Sequence, residues 1–443
     1  MPQTLGDWLA YLESLHPKTI ALGLERVAQV RRRLNLDPTF PVIIVGGTNG
    51  KGSTCAMLEA ILHAAGYKVG CYTSPHLLRY NERVRIAKRE VGDAELCASF
   101  EAIERARKGL PDLGCSSLSR EERGQSQVTV DIPLTYFEFG TLAAMQCFIE
   151  HKVDVAILEV GLGGRLDAVN VFDADCAVVT SVDIDHTDYL GDTREQIAFE
   201  KAGIFRAGRV AVFGDTDMPQ PIRAQADKIG AELWQLGHQF SFSAHAQQWD
   251  FHGKGSERRA LPLPALRGAY QLNNASTVLA VLDALHGKLP VDMAAIRRGL
   301  VEVELTARFQ VIPGRPQLVL DVAHNPHAAR ALARNLAALP LAGKTYAVCA
   351  MLKDKDIAGV VQALQAQVDV WLVAGIDAPR GASSDEMRAL VQAAQVREVA
   401  SFPCVGDALS EAYNRAGEND RIAAFGSFYT VADVMRARGL GGA

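Results

Sequence analysis

The chain has no cysteine pair in C-x-x-C spacing; its eight cysteines fall singly at 55, 71, 97, 115, 147, 176, 349 and 404. That scatter suggests neither a paired-cysteine zinc site nor a disulfide framework, and reduced thiols fit a cytoplasmic enzyme. No apolar run approaches the roughly 20 residues that a membrane helix needs. The opening MPQTLGDWLAYLE lacks a basic stretch followed by an apolar core, so no secretory signal is expected. A basic excess is missing too: 46 Lys and Arg stand against 51 Asp and Glu, a net charge of −5, so no global field draws nucleic acid. What is present is ordinary for a globular chain: 443 residues, 48% hydrophobic and 22% charged, enough for two or three domains.

The most informative stretch is VIIVGGTNGKGSTCAMLEAILHAAG at 42–66. Val42 to Val45 reads as a buried parallel strand. Leu58, Ile61, Leu62 and Ala65 then share one helical face, with Gly66 at the C-terminal end. Between them, glycines let backbone N–H groups converge on an anion at a helix N-terminus. Thr48, Asn49, Gly50 and Lys51 form the turn; Lys51 would reach outer phosphates, and Ser53 or Thr54 would face Mg²⁺. The spacing departs from the ordinary nucleotide loop: Gly52 separates Lys51 from Ser53, and Val45 stands where the first glycine is usual.

Before this unit, residues 4–16 and 24–34 read as amphipathic helices; after it, strands are expected at 68–73, 153–160, 176–182 and 210–213, and helices at 94–108, 134–149 and 194–202. Strands alternating with helices argue a mostly parallel sheet covered on both faces. Residues 109–131 are rich in Ser, Gly, Arg and Glu and read as a mobile insertion. Aromatic alternation over 232–262 suggests a small antiparallel patch. After helices at 269–286 and 287–306, a second α/β unit opens, with strands at 318–322, 346–350, 370–374 and 422–425. The expected architecture is α/β in two domains: 1–306, P-loop-like with a mostly parallel sheet flanked by helices, and 307–443, a smaller Rossmann-like unit.

Ser74, Glu159 and His186 each end an expected strand, at the rim where ligands bind in open α/β sheets. A hydroxyl, a carboxylate and an imidazole make a plausible Mg²⁺ shell that shares substrate phosphates; the plainer alternatives are Glu159 paired with Arg165 and His186 capping a turn. Lys201 by itself reads as a surface lysine. Asp321 and His324 end another strand, and Arg308 sits at the junction, placed to close onto phosphates. The residues alone imply a Mg²⁺-dependent, two-domain ATP-using enzyme and leave its acceptor open.

GTNGKGS at 47–53, SPHL at 74–77, ILEVGLGGRLDA at 157–168, DHTDYLG at 185–191, EKAGIF at 200–205 and DVAHNPHAA at 321–329 together resemble the folylpolyglutamate synthases. More narrowly, the chain resembles the bacterial bifunctional dihydrofolate synthase/folylpolyglutamate synthases of the Mur ligase superfamily. The resemblance implies a ligase that adds L-glutamate to dihydropteroate and to reduced folates through an acyl phosphate, with ATP and two Mg²⁺ ions. It also implies a monomeric cytoplasmic enzyme with no nucleic acid or membrane partner. Carried over position by position, Thr48, Asn49, Gly50 and Lys51 cradle phosphates. Asn274 contacts adenine, while Arg308 and Asp321 reach the nucleotide from the second domain. Ser74, Glu159 and His186 are metal ligands, and Lys201 matches the lysine carboxylated at its amine. His324 and Ser427 match glutamate-binding positions. Ile20, Ala21, Leu22, Thr135, Tyr136, Phe137, Glu138, Leu166, Asp167 and Ala168 match the dihydropteroate side. Three readings compete with two activities: polyglutamylation alone, a Mur-type ligase on a cell-wall precursor, and a nucleotide-gated binding module.

Overall fold

The computed structural model describes residues 2–16, 20–110, 131–268, 270–340 and 343–440. The insertion expected at 109–131 falls almost wholly outside them. The first sheet has eight strands: β1 (Val42–Gly46), β2 (Val69–Tyr72), β3 (Val84–Ile86), β4 (Arg89–Glu90), β5 (Val155–Glu159), β6 (Cys176–Val179), β7 (Val210–Phe213) and β8 (Glu232–Gln235). Their order is β4-β3-β2-β5-β1-β6-β7-β8. All neighbours from β2 to β8 run parallel, and β3 and β4 add an antiparallel edge. The chain leaves β1 toward β2 on one side and later returns to β6 on the other. The loop after β1 therefore opens at the switch point where such sheets bind ligands.

A three-stranded antiparallel sheet follows, β9 (Ser241–Ala244), β10 (Gln248–His252) and β11 (Glu257–Pro262). The antiparallel patch expected over 232–262 is thus shorter: β8 pairs in parallel with β7 and closes the main sheet. The last sheet holds β12 (Gln310–Ile312), β13 (Gln317–Leu320), β14 (Thr345–Cys349), β15 (Val370–Ala374), β16 (Val399–Phe402) and β17 (Arg421–Phe425), in the order β12-β13-β17-β14-β15-β16. Only β12 is antiparallel. The sequence reading missed β12 and β16 because they are short edge strands, half-buried throughout, with no continuous apolar run to mark them.

Two cores flank the first sheet. Helices Leu5–Leu15, Glu25–Leu34, Asp93–Arg107 and Tyr136–Glu150 cover one face through Trp8, Phe100, Phe139 and their neighbours. Helices Lys51–Ala64, Gln271–Ala284 and Met293–Glu302 cover the other. Met57, Leu58, Ile61 and Leu62 are fully buried there; truncating any one to Ala would cost about 2–5 kcal/mol. The helix that carries the phosphate loop is therefore anchored along its length. Only its first turn is left to respond to a ligand. Among the described residues, no helix is long and apolar enough to cross a membrane.

Candidate active site between the two parallel sheets

The turn after β1 is held by its glycines and by the segment that follows β6. Gly47 adopts φ +141°, and a Cβ there would lie 1.9 Å from Thr180 Oγ1, so no larger residue fits. Gly50, at φ +89°, caps the helix Lys51–Ala64, and a Cβ on it would strike Asn274 Oδ1 at 2.7 Å. The Thr48 N–H donates to the Ser181 carbonyl (2.8 Å), and Thr180 Oγ1 donates to the Asn49 carbonyl (2.6 Å). Lys51 curls back on the turn, its Nζ donating to the carbonyls of Gly47 (3.0 Å) and Thr48 (3.3 Å). Burial pushes its ammonium below the usual lysine range, against the pull of the Glu159 and Asp185 carboxylates. Asn49, Gly50, Ser53, Tyr270, Asn274, Arg308 and Asp321 line one cavity of about 110 Å³.

Glu159 ends β5 and is 3% exposed. Its Oε2 accepts the Ser74 N–H at 3.1 Å. Burial pushes its carboxyl up, opposed by Lys51 and Arg308. Ser74, Glu159, Gly52 and Arg308 line a second, open cleft of about 670 Å³, bounded by the 73–90 hairpin and the helix Phe428–Ala437. Arg85, which sequence reasoning had not singled out, pins that hairpin: its Nη2 lies 2.8 Å from Glu59 Oε2, and its Nη1 donates to Thr73 Oγ1 (3.2 Å) and the Glu82 carbonyl (2.9 Å).

His186 lines a third, small cavity of about 40 Å³ with Lys51, Asp185 and Lys201. Burial lowers the His186 imidazole to about 4, so it is neutral near pH 7 and available as a ligand. Lys201 is not the surface lysine that its sequence context suggests: it is 4% exposed, and burial, reinforced by Lys51, lowers its amine to about 7. Lys51 thus lies between Glu159 on one side and Asp185, His186 and Lys201 on the other.

The second unit closes on this rim. Asp321 is buried and accepts the N–H groups of Phe309 (2.8 Å) and Ala323 (2.7 Å); burial raises its carboxyl, with Arg308 opposing. His324 Nδ1 donates to the Val322 carbonyl (2.8 Å), which turns Nε2 to within 3.7 Å of Asp185 Oδ2. Ser427 caps the helix Phe428–Ala437, its Oγ accepting the Tyr429 N–H at 2.9 Å. It lines none of the three cavities, though Phe428 beside it lines the open cleft. The main joint between the units had gone unread in the sequence. Asp185 accepts from Lys355 Nζ (2.7 Å) and Asn325 Nδ2 (3.0 Å), and Asn49 Nδ2 donates to His327 Nδ1 (2.7 Å). Burial opposes the charge on Asp185, but the His324 contact and the nearby His186 and Lys355 hold its carboxyl well below the usual range.

The residues matched to the dihydropteroate side also converge. Thr135 and Glu138 form a capping box, and Glu138 pairs with Arg26 (2.9 Å), whose Nη2 donates to the Ala21 carbonyl (2.7 Å). The Gly23 N–H donates to the Leu166 carbonyl (3.2 Å), joining the half-exposed Ile20–Leu22 segment to the 166–168 turn. Phe137 packs on Gly161 and Tyr72, and Tyr136 on Tyr80. Asp167 accepts the N–H groups of Leu162 (2.8 Å) and Val169 (3.1 Å), and burial lifts its carboxyl to about 7. Ala168 follows it, buried in the same turn.

Among the described residues, no three His, Cys, Asp or Glu side chains converge as a metal cage. The donors present are a hydroxyl, one buried carboxylate turned to the cleft and one neutral imidazole. They suit a hard divalent cation that completes its shell with water and phosphate oxygens.

The middle-domain model of the Mur ligases matches residues 127–282, and the Mur ligase glutamate-ligase-domain model matches 307–428. The dihydrofolate synthase/folylpolyglutamate synthase of Escherichia coli (strain K12) is 45% identical over 432 residues, covering 97% of this chain and 94% of that one. The chain belongs to the dihydrofolate synthase/folylpolyglutamate synthase family. A solved structure of the Escherichia coli family member in complex with DHPP and ADP superposes with a TM-score of 0.89 at 44% identity, covering 99% of this chain and 98% of that one. Another bifunctional family member, solved with Mn, AMPPNP and L-glutamate bound, gives a TM-score of 0.86 at 46% identity over 99% of this chain and 98% of that one.

Proposed function

We propose that this chain is an ATP-dependent ligase that adds L-glutamate to dihydropteroate, giving dihydrofolate, and to reduced folates, giving polyglutamates. The observation that carries the reading is the position of Arg308. It comes from the second unit and lines both the nucleotide cavity and the open cleft, at the mouth of the phosphate loop. A group transferred from one cavity toward the other passes that guanidinium.

In this reading, the nucleotide lies on Asn274 and Asp321 with its phosphates on the turn from Thr48 to Lys51. The acceptor carboxylate attacks the γ-phosphorus, ADP leaves, and an acyl phosphate forms. The amine of L-glutamate attacks the acyl carbon, loses a proton, and the tetrahedral adduct expels phosphate to leave the amide. A free carboxylate is a poor acyl donor near neutral pH, so phosphorylation supplies the leaving group. Lys51 and Arg308 neutralise the transferring charge and align it; positioning and fixed charge account for most of such catalysis. Ser74, Glu159 and His186 would hold divalent cations, which supply further charge neutralisation on the phosphates. His324 and Ser427 hold the amino acid, and the segments 20–22, 135–138 and 166–168 hold the pterin side. Residues 1–306 then form the ATP-binding unit and 307–443 the glutamate-ligase unit.

Lys201 carries the finer part of the proposal. Its buried amine shares a small polar cavity with Lys51 and His186. Addition of CO₂ to the neutral amine, with loss of one proton, would turn a costly buried cation into an anionic oxygen ligand. Protein equilibrated with ¹³C-bicarbonate is expected to give one carbamate carbon signal that disappears in Lys201→Ala. A wild-type spectrum identical to that of the variant would contradict it.

The activity itself is tested with purified protein, ATP, L-glutamate and either dihydropteroate or tetrahydrofolate. The expected result is ADP release with glutamate incorporated into both acceptors. ADP release with a UDP-linked peptide acceptor and none with either pterin would overturn the reading.

A further inference from the structure

Arg83 closes the short turn Tyr80–Arg83, and its carbonyl accepts the Thr73 N–H at 2.9 Å, one residue before Ser74. Its backbone therefore lies beside Thr73 and Ser74, which line the open cleft. The guanidinium carbon lies 5.5 Å from the ring centroids of both Tyr80 and Tyr136, and Nε donates to His76 Nδ1 at 2.8 Å. The two tyrosines meet edge to face, centroids 5.9 Å apart. Tyr136 belongs to the stretch assigned above to the acceptor.

The basic side chains around it are committed. Arg85 is paired with Glu59, Arg26 with Glu138 and Arg79 with Glu90. Among the described residues, no carboxylate lies within ion-pair distance of Arg83. The adjacent Glu82 is spent on the N–H groups of Leu77, Leu78 and Arg79, each at 2.7 Å. An arginine boxed by aromatic faces, already ordered and without a counter-ion, is suited to take a planar anion bidentately.

The two acceptors differ in one such anion. Dihydropteroate carries a single carboxylate, the one that reacts. A folate carries its reacting γ-carboxylate and, a few bonds away, a free α-carboxylate. Resting on the ligase reading above, we propose that Arg83 binds the α-carboxylate of glutamylated acceptors and so determines the second activity separately from the first. Dihydropteroate, which has nothing to offer that guanidinium, depends on it less.

The test compares wild type, Arg83→Gln and Arg83→Lys with dihydropteroate, tetrahydrofolate and the α-carboxamide of tetrahydrofolate. Loss of one charge-assisted bidentate contact is worth about tenfold or more. For Arg83→Gln, kcat/KM with tetrahydrofolate is expected to fall at least that much further than with dihydropteroate, chiefly through KM. Arg83→Lys is expected to recover part of the loss. Wild type is expected to discriminate against the α-carboxamide, and Arg83→Gln to treat acid and amide alike. Equal losses on both acceptors, or undiminished discrimination in Arg83→Gln, would overturn the proposal. A wild type inactive on both pterins would defeat the parent reading and this one with it.

Discussion

Lys51→Ala is expected to lower kcat by about a thousandfold while leaving the thermal midpoint close to that of wild type. The size follows from the contact at stake: removing one preorganised donor from a transferring group costs about 10²–10³ in rate, and an amine that meets a phosphate belongs at the upper end of that range. The fold survives because Lys51 makes no ion pair in the resting site. Its Nζ is satisfied only by two carbonyls of its own turn, and burial already disfavours its charge. Binding of a phosphate gives that ammonium a better partner than a carbonyl. The helix behind it is anchored by Met57, Leu58, Ile61 and Leu62, none of which lines the three cavities of the site. Single-turnover ADP formation alongside a thermal melt checks the prediction. Activity within tenfold of wild type in a folded variant would contradict it.

Glu159→Gln is expected to remove tight divalent-cation binding, raising the Mn²⁺ dissociation constant by about a hundredfold and lowering kcat by a similar or larger factor. The amide keeps the shape and can still accept the Ser74 N–H through its oxygen. Burial raises the folded-state pKa of Glu159, so the native protein holds this proton more tightly than the unfolded chain. That contribution to stability is present at low pH and is lost as pH rises through the raised value. Glutamine never ionises, so at pH 7 the metal-free variant is expected to melt at or above wild type. Mn²⁺ titration followed by electron paramagnetic resonance, with a non-hydrolysable nucleotide present, separates the two effects. Unchanged Mn²⁺ affinity would remove Glu159 from the site.

The elements that sequence alone could locate are those whose signal is local. The run from Val42 to Ala64 announces strand, glycine turn and helix within a few residues of one another, and the structure keeps all three. Ser74, Glu159 and His186 are expected at one rim because each reads as ending a strand. Ser74 and Glu159 line one cleft, whereas His186 lies well beyond the end of β6, caps the short helix Thr187–Leu190 and lines a separate cavity. What stayed hidden was set by distance along the chain. Asp185 meets Lys355 across 170 residues, and Asn49 meets His327 across 278. Neither pairing leaves a periodic trace. Lys201 was misleading for the same reason: its helix has an ordinary polar sequence, and its burial comes from the 161–164 turn packing over it. The edge strands β12 and β16 escaped because half-buried edges need little hydrophobic patterning. The affinity of a half-buried cation such as Arg83 for a ligand depends on which carboxylates are already engaged, and only the folded arrangement reveals that.

The central claim is that the phosphoryl group passes through the acceptor's own carboxylate. Dihydropteroate labelled with ¹⁸O in both carboxylate oxygens, turned over with ATP and L-glutamate, tests it most directly. One labelled oxygen is expected in the released phosphate and one in the new amide carbonyl. Phosphate free of label, with amide formed, would contradict the account.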